Sequence, residues 1–418
     1  MNLSVNARRT ALVALVAACA TPAACADATP DEADTPDLSS GEDAGGEAAT
    51  GLPGRPDASG LEDVIDASNG DSTHEDGGDG GATKPCTVHG WCHTDVPENE
   101  TLRGVWGDGT GVVWTVSEEG DILRWDGTAW STVYTGAGKL FTIWGSGPTD
   151  IWVGGTNGLF HGTGATSATL SWTPVAVEGN VPILSVWGSS ASDVWAVGND
   201  GSTSLVLHYG GPPVDASTSG WVTDPVGTRI TGKLAKVYGY SPTDVWIIGT
   251  MLSGRNTKPL IWHLSPDDAG TPVFAQDTSF AYYANNAVAG GYTADTNNVL
   301  YFGKYPTLPY ALWGRRADGT KAYTWKDAFH YSIPHPASCA SEAHNGVIGF
   351  GVNDVWLYGD WGRLCHFDGT SWELAAVSIE DVPLTNPFWD AWAPAGDPTQ
   401  MWVVGKGVAL RKQTTSNP

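Results

Sequence analysis

Positive charge is scarce in this 418-residue chain: 21 Lys and Arg stand against 46 Asp and Glu, for a net charge of −25. That balance argues against a nucleic-acid partner, because phosphate binding rests on a basic surface, and against docking on an anionic membrane for the same reason. No apolar run is long enough to cross a bilayer as a helix, and no segment carries a helical apolar period. The nucleophile elbow Gly-x-Ser-x-Gly, the zinc motif His-Glu-x-x-His and the phosphate loop Gly-x-x-x-x-Gly-Lys are all missing. Carboxylates abound, but chain position cannot place two of them at the roughly 5 or 9 Å that glycoside hydrolysis needs. A glycosidase or lyase therefore stays an alternative without assigned catalytic residues. The six cysteines include no Cys-x-x-Cys pair and have no clustered histidines beside them, so no metal site is expected.

What is present is a repeat. Ser185 to Asn199, SVWGSSASDVWAVGN, has copies at Val105-Trp106-Gly107 to Trp114, Ile143-Trp144-Gly145 to Trp152, Val237-Tyr238-Gly239 to Trp246 and Val347-Ile348-Gly349 to Trp356. In each, the second anchor follows the first by eight residues. A weaker copy runs from Tyr292 to Leu300, and a seventh, two residues longer, from Trp392 to Trp402. A period of roughly 40 to 55 residues signals a radial or solenoidal array. Each unit reads as four short strands separated by Gly, Ser, Asp and Asn turns. In the third unit these are Ile183 to Trp187, Val194 to Val197, Leu205 to Tyr209 and one around Trp221. Four-stranded units at this period predict an all-β, seven-bladed β-propeller of antiparallel blades.

The chain ends agree. The seventh unit supplies three strands, Phe388 to Trp392, Met401 to Val404 and Val408 to Arg411, and then stops. Gly90-Trp91-Cys92, ahead of the first unit, resembles the Trp-bearing outer strands at Trp130 and Trp372. The ring is expected to close by pairing this N-terminal outer strand with the last three, leaving no exposed sheet edge. The 21 Trp and 54 Gly are accounted for by filling between twisted blades and by turns.

Residues 1–18 carry Arg8 and Arg9 ahead of the short apolar run Ala11 to Ala18, which reads as an export signal. Val16-Ala17-Ala18-Cys19 has the form of a lipobox and makes Cys19 the lipidation residue. Cleavage after Ala24-Cys25-Ala26 would release a soluble protein instead. Residues 19–84 form an acidic tether without the apolar residues to build a core: between Asp27 and Thr83, 16 acids against Arg55 put most of the excess negative charge here. Calcium held weakly by acids such as Asp31, Glu32, Asp34 and Asp37 is the one cofactor the sequence allows. The propeller is assigned to 85–413 and a tail to 414–418. In an exported chain the remaining cysteines read as disulfides, and locality favours Cys86 with Cys92 and Cys339 with Cys365.

His161, His208, His263 and His366 share one register near the end of the third strand, with Arg124 and Arg411 in that place elsewhere. Such a residue does not converge with its copies at the axis, so a hydrogen-bonding structural role is expected. Asp126 to Trp130 and Asp368 to Trp372 read Asp-Gly-Thr-x-Trp, which resembles the structural Asp-box turn of sialidase-type propellers without their catalytic set. Val186 to Gly198, Ile122 to Trp130 and Cys86 to Trp91 together resemble a group of exported β-propeller lipoproteins of Gram-negative bacteria. The resemblance spans about Cys86 to Lys412; it implies the fold and a cell-surface setting, and lends no activity.

Anchor, spacer and rigid ring together predict a surface-tethered, non-catalytic binding module, expected to be a monomer with an extracellular or envelope protein or glycan as partner. A structural envelope component is the alternative. Insertions in second-to-third and blade-to-blade connections should emerge on one side of the ring. They run from Thr250 to Lys258, Lys304 to Tyr310 and Lys326 to His344, and are expected to bring Arg255, Tyr305, Tyr310, Phe329, His330, Tyr331 and His335 into one sector. The opposite side, with Gly162 to Ser171 and Gly210 to Gly220, is poorer in aromatics.

Overall fold

The computed structural model describes residues 86–413, except for 88, 98–99, 178–180, 202, 213–218, 254–255, 281–286, 306–307, 318–319, 321, 342, 376 and 380–381. The signal with Cys19, the acidic tether and the tail lie outside the described residues.

Seven four-stranded antiparallel sheets form a ring, a seven-bladed β-propeller. Blades 1 to 6 span 102–134, 140–175, 183–223, 233–276, 287–327 and 344–374, each in simple strand order from the inside outwards. Blade 7 takes its three inner strands from 388–412 and its outer strand, Trp91–Thr94, from the start of the domain. Trp91 pairs with Lys412 and Thr94 with Ala409. The expected N-terminal closure is therefore what the structure shows, and it completes the seventh sheet with four strands, as in the other six. Both local disulfides are formed, Cys86–Cys92 beside the closing strand and Cys339–Cys365 between a short helix, Ala337–Ser341, and the third strand of blade 6.

The core is divided among the blades. Seven apolar clusters fill the gaps between neighbouring blades. The repeat's second anchor meets the outer strand of the following blade: Trp152 lies 5.1 Å from Trp221, Trp195 5.4 Å from Phe274, and Trp402 5.6 Å from Trp130. Trp356 meets Trp91 in the same way, at 6.0 Å, so the closing strand carries the aromatic its place in the ring requires. In units 1 to 3 the first anchor packs on the glycine of the next unit, and Trp392 of the seventh does so on that of the first. A Cβ on Gly188 would sit 2.6 Å from the Trp144 ring, and one on Gly107, across the closure, 2.5 Å from Trp392.

The register of histidines resolves into a repeated hydrogen-bonded cluster. His161, His208, His263 and His366 stack on Trp152, Trp195, Trp246 and Trp356 at 3.6–4.0 Å. Their Nε2 atoms bond Asp150, Asp193, Asp244 and Asp354 at 2.6–2.9 Å. Burial alone would raise the Asp150 and Asp193 carboxyls, but bonds from His161 and Ser146, and from His208 and Ser189, hold both below their usual value. Blades 1 and 7 have Val112 and Gln400 where the Asp would stand, and there the partners on Trp114 and Trp402 are Arg124 and Arg411. A guanidinium brings its own charge to the ring face; an imidazole at that place is oriented by the aspartate. In the Asp-Gly-Thr-x-Trp turns, Asp126 and Asp368 accept backbone N–H bonds from Thr128 and Ala129, and from Thr370 and Ser371.

Candidate functional site

The innermost strand of every blade has a β-bulge near its start, at the same place in each. Pairing slips by one residue between Leu102 and Gly104, Leu140 and Thr142, Ile183 and Ser185, Leu234 and Lys236, Val288 and Gly290, His344 and Gly346, and Phe388 and Asp390. A bulge leaves its extra residue out of the ladder and re-aims it. The seven extra residues, Arg103, Phe141, Leu184, Ala235, Ala289, Asn345 and Trp389, all line one pocket of about 480 Å³ on the axis. Its mouth lies beside the second-to-third turns, since His344 pairs with Gly359 and Leu102 with Ser117, the last residues before those turns. This is the side of the ring carrying the long connections.

The pocket is chemically two-sided. Phe141, Leu184, Ala235 and Ala289 make an apolar wall from blades 2 to 5, and blades 6, 7 and 1 contribute Asn345, Trp389 and Arg103. The Arg103 guanidinium lies over the Trp389 indole at 4.0 Å. Its Nε bonds Glu118 at 3.1 Å, and the second Glu118 oxygen is taken by Lys139. Lys236 adds an ammonium that forms no ion pair or hydrogen bond among the described residues.

Asp390 is the pocket's only carboxyl among the described lining residues, and it is committed to the ring. Oδ2 accepts the Val105 N–H at 2.9 Å, across the closure, and Oδ1 accepts the Tyr358 O–H at 3.1 Å. Burial pushes it up from the ordinary carboxylate range, while Lys236 and these bonds pull the other way. Thr142 likewise accepts the Val186 N–H, and Ser185 donates to the Val237 carbonyl. His344 turns into the core, where Leu, Ile, Val or Phe stands in the other blades. Its ring lies 5.7 Å from Phe329, and desolvation lowers it to about 4.

In the second-to-third turn of blade 6, on the side of the ring where the pocket opens, stands Trp361, 65% exposed. It occupies the first central position of a two-residue turn, with Arg363 N–H donating to the Asp360 carbonyl at 3.3 Å. Both central residues are left-handed, Trp361 at φ 60° and Gly362 at φ 66°. That geometry favours Asn-Gly, and a bulky residue held there costs about 1–3 kcal/mol. Trp361 is the one non-glycine residue with positive φ among the described residues. Asn345 ties this turn to the axis through bonds to Asp360 Oδ1 and the Phe388 carbonyl, both 2.9 Å.

Among the described ones of the seven residues expected from sequence, Tyr310 lies apart from Phe329, His330, Tyr331 and His335. Arg255 lies outside the described residues, and Tyr305 is placed only as the end of the strand Asn298–Tyr305. Two of the expected insertions are lengthened hairpin strands, Asp244–Ser253 with Asn256–Pro266 in blade 4, and Asn298–Tyr305 with Leu308–Arg315 in blade 5. Tyr310 packs towards blade 4, its ring 6.5 Å from Phe280, and burial pushes its phenol up. Phe329 packs on the other side of blade 5, 8% exposed and 5.1 Å from Trp372. It is a core residue because the connection to blade 6 is fastened down: Trp372 donates from Nε1 to the Ala328 carbonyl and from its backbone N–H to Pro334. His335, half-buried, bonds the Ile333 carbonyl at 2.7 Å. His330 and Tyr331 are exposed and in ring contact with each other, and His330 borders a cleft of about 660 Å³ between blades 5 and 6.

Sequence reasoning missed Arg103, Lys236, Trp361 and Trp389. The signal for the bulges was present: Leu102 and Val105 are both buried at a spacing of three, where an unbroken strand alternates with period two.

Fold and pocket together define the class, a seven-bladed propeller with a ligand-sized axial pocket. Among solved structures the chain is similar to YCF48 bound to D1 peptide (TM-score 0.55, 13% identity, covering 80% of this chain and 100% of that one). It is similar to virginiamycin B lyase from Staphylococcus aureus (0.51, 11%, 77% and 96%). It is also similar to PorZ, a surface component of the type-IX secretion system of Porphyromonas gingivalis (0.51, 14%, 76% and 48%). At these identities the likeness shows the fold alone. No protein-family model and no curated protein matches the chain.

Proposed function

We propose that this chain is an exported, non-catalytic binding module of the bacterial envelope, taking a protein or glycan ligand at the mouth of its axial pocket. The observation that carries the reading is the convergence of seven bulged residues on one pocket whose cations are turned to the axis while its single described carboxyl is used in holding blades together. Catalysis by a lyase or glycosidase needs an available acid or base, and Asp390 is already bonded on both oxygens. Two disulfides fit an oxidising compartment, and no described helix is long and apolar enough to cross a membrane. Propellers of similar fold include one bound to a peptide and one that is a bacterial surface component, which is compatible with a display role.

Attachment follows from Cys19: Cys19→Ala should move the protein from the detergent to the aqueous phase, and unchanged partitioning would favour release after Ala26. Ligand binding is tested by screening the purified ring against glycan and peptide arrays, then repeating the screen with Ala289→Trp, which plugs the axial pocket. Loss of the hits in the variant supports the reading. Hits untouched by the plug, or no hits in either array, overturn it.

A further inference from the structure

Resting on that reading, we infer that the axial pocket takes an acidic sugar residue at the end of a glycan chain, with Arg103 and Lys236 receiving its carboxylate and Trp361 stacking on the adjoining ring. A pocket bounded by seven strands and open beside the turns admits a chain end, whereas a cleft on the rim would admit the middle of a chain. Its volume, about 480 Å³, lies in the range of small-ligand sites.

The charge is the second observation. In a chain of net charge −25, the axis presents Arg103 and Lys236 on blades 1 and 4, and the one described carboxyl between them accepts hydrogen bonds from Val105 and Tyr358. An anionic group entering there meets the Lys236 ammonium, which also faces Asp390, and the Arg103 guanidinium, whose Nε is held by Glu118. Arginine is suited to a planar carboxylate because its donors form a rigid fork, and the Trp389 indole beneath fixes the plane of the guanidinium. Phe141 and Leu184, on blades 2 and 3 between the two cations in ring order, are apolar, as the face of a pyranose ring requires.

Trp361 is the third. An indole left 65% exposed gains nothing from the core, and its left-handed backbone works against folding. Glycine would make the same turn without that strain. A residue unfavourable to the fold and aimed at solvent beside a pocket has its use in what binds there, and flat aromatic faces are suited to sugar rings. Asn345 holds the Trp361 turn to the pocket wall through Asp360, so rim and floor act as one surface.

The test uses the purified full ring with trigalacturonate as probe and galactotriose as its neutral counterpart, measured by calorimetry beside thermal melting. Expected are binding of the acid and not of the neutral trisaccharide, and at least tenfold weaker binding with Lys236→Gln and with Arg103→Gln. Trp361→Gly should weaken binding at least tenfold while raising Tm by about 2 °C or more. Opposite signs in one variant separate a ligand contact from a structural residue. Equal binding of the two trisaccharides, or full affinity in Trp361→Gly, overturns the inference. If neutral glycans or peptides bind and Ala289→Trp abolishes that binding, the acidic-sugar assignment falls while the binding-module reading stands. If no member of either array binds the wild-type ring, both fall.

Discussion

The Trp106 ring lies where a side chain on Gly145 would begin: a Cβ built on that glycine meets three ring carbons at 2.8–2.9 Å. The pair belongs to successive blades, so the Trp-Gly sequence of units 1, 2 and 3 is in each case one half of two different contacts. Its tryptophan faces forward to the next glycine, and its glycine receives the ring behind.

Gly145→Ala should therefore destabilise the ring by about 1–3 kcal/mol, the usual effect of overpacking. Gly147→Ala, two residues away with open space around the new methyl group, should leave stability within about 0.5 kcal/mol of wild type. Urea unfolding of the two variants is the comparison. Equal midpoints would show that the ring simply moves aside.

Closure makes a second prediction. Deleting residues up to Thr94 removes the strand paired with Val408–Lys412 and takes away the fully buried Trp91. The loss should be about 3 kcal/mol or more, whereas removal of residues 1–84 should leave the melting temperature of the ring where it was. Coincident melting curves would contradict the closing role of Trp91–Thr94.

The Asp-His-Trp cluster can be measured where it is most buried. Asp244 accepts from Trp246 Nε1 at 2.9 Å and bonds His263 Nε2 at 2.9 Å. Asp244→Ala leaves two buried polar groups without that partner and should cost about 1–3 kcal/mol. In a double-mutant cycle with His263→Leu, the coupling should exceed about 0.5 kcal/mol. Strict additivity would mean that the two side chains act independently.

His344 should make stability fall with acid. Its folded value, about 4, lies below the ordinary 6.5 because desolvation opposes the charged form. A depressed histidine binds protons more readily unfolded, so its contribution is complete above pH 6.5 and is lost as pH falls from 6.5 to about 4. About 2–3 kcal/mol is at stake. His344→Phe, matching Phe388 in blade 7, should flatten that part of the profile in denaturant titrations at pH 4.5 and 7. Asp126 and Asp368, held near 2 by turn N–H bonds, act in a lower window, their contribution being lost as pH falls from about 4 to 2. A His344→Phe profile parallel to wild type would rule the histidine out as the cause.

The blade count, the closing strand and both disulfide pairings were legible in the chain. They depend on local patterns: anchors eight residues apart, a Trp-bearing strand displaced to one end, and cysteines close enough in sequence to favour each other. The four histidines could be placed in one register for the same reason, and the aspartate two residues before each second anchor stands in the same repeats. Only the tertiary structure decided what meets at the axis and what is hidden beside it. Arg103, Lys236 and Trp389 are far apart in sequence, and they converge because a bulge near the start of each inner strand turns Arg103 and Trp389 out of the ladder and shifts the register beside Lys236. Tyr310 and Phe329 read alike as aromatics in long connections, yet the two sides of blade 5 draw them into different cores. Trp361 was invisible for a different reason: its chemistry is ordinary, and what sets it apart is a left-handed backbone, a property of the turn that holds it.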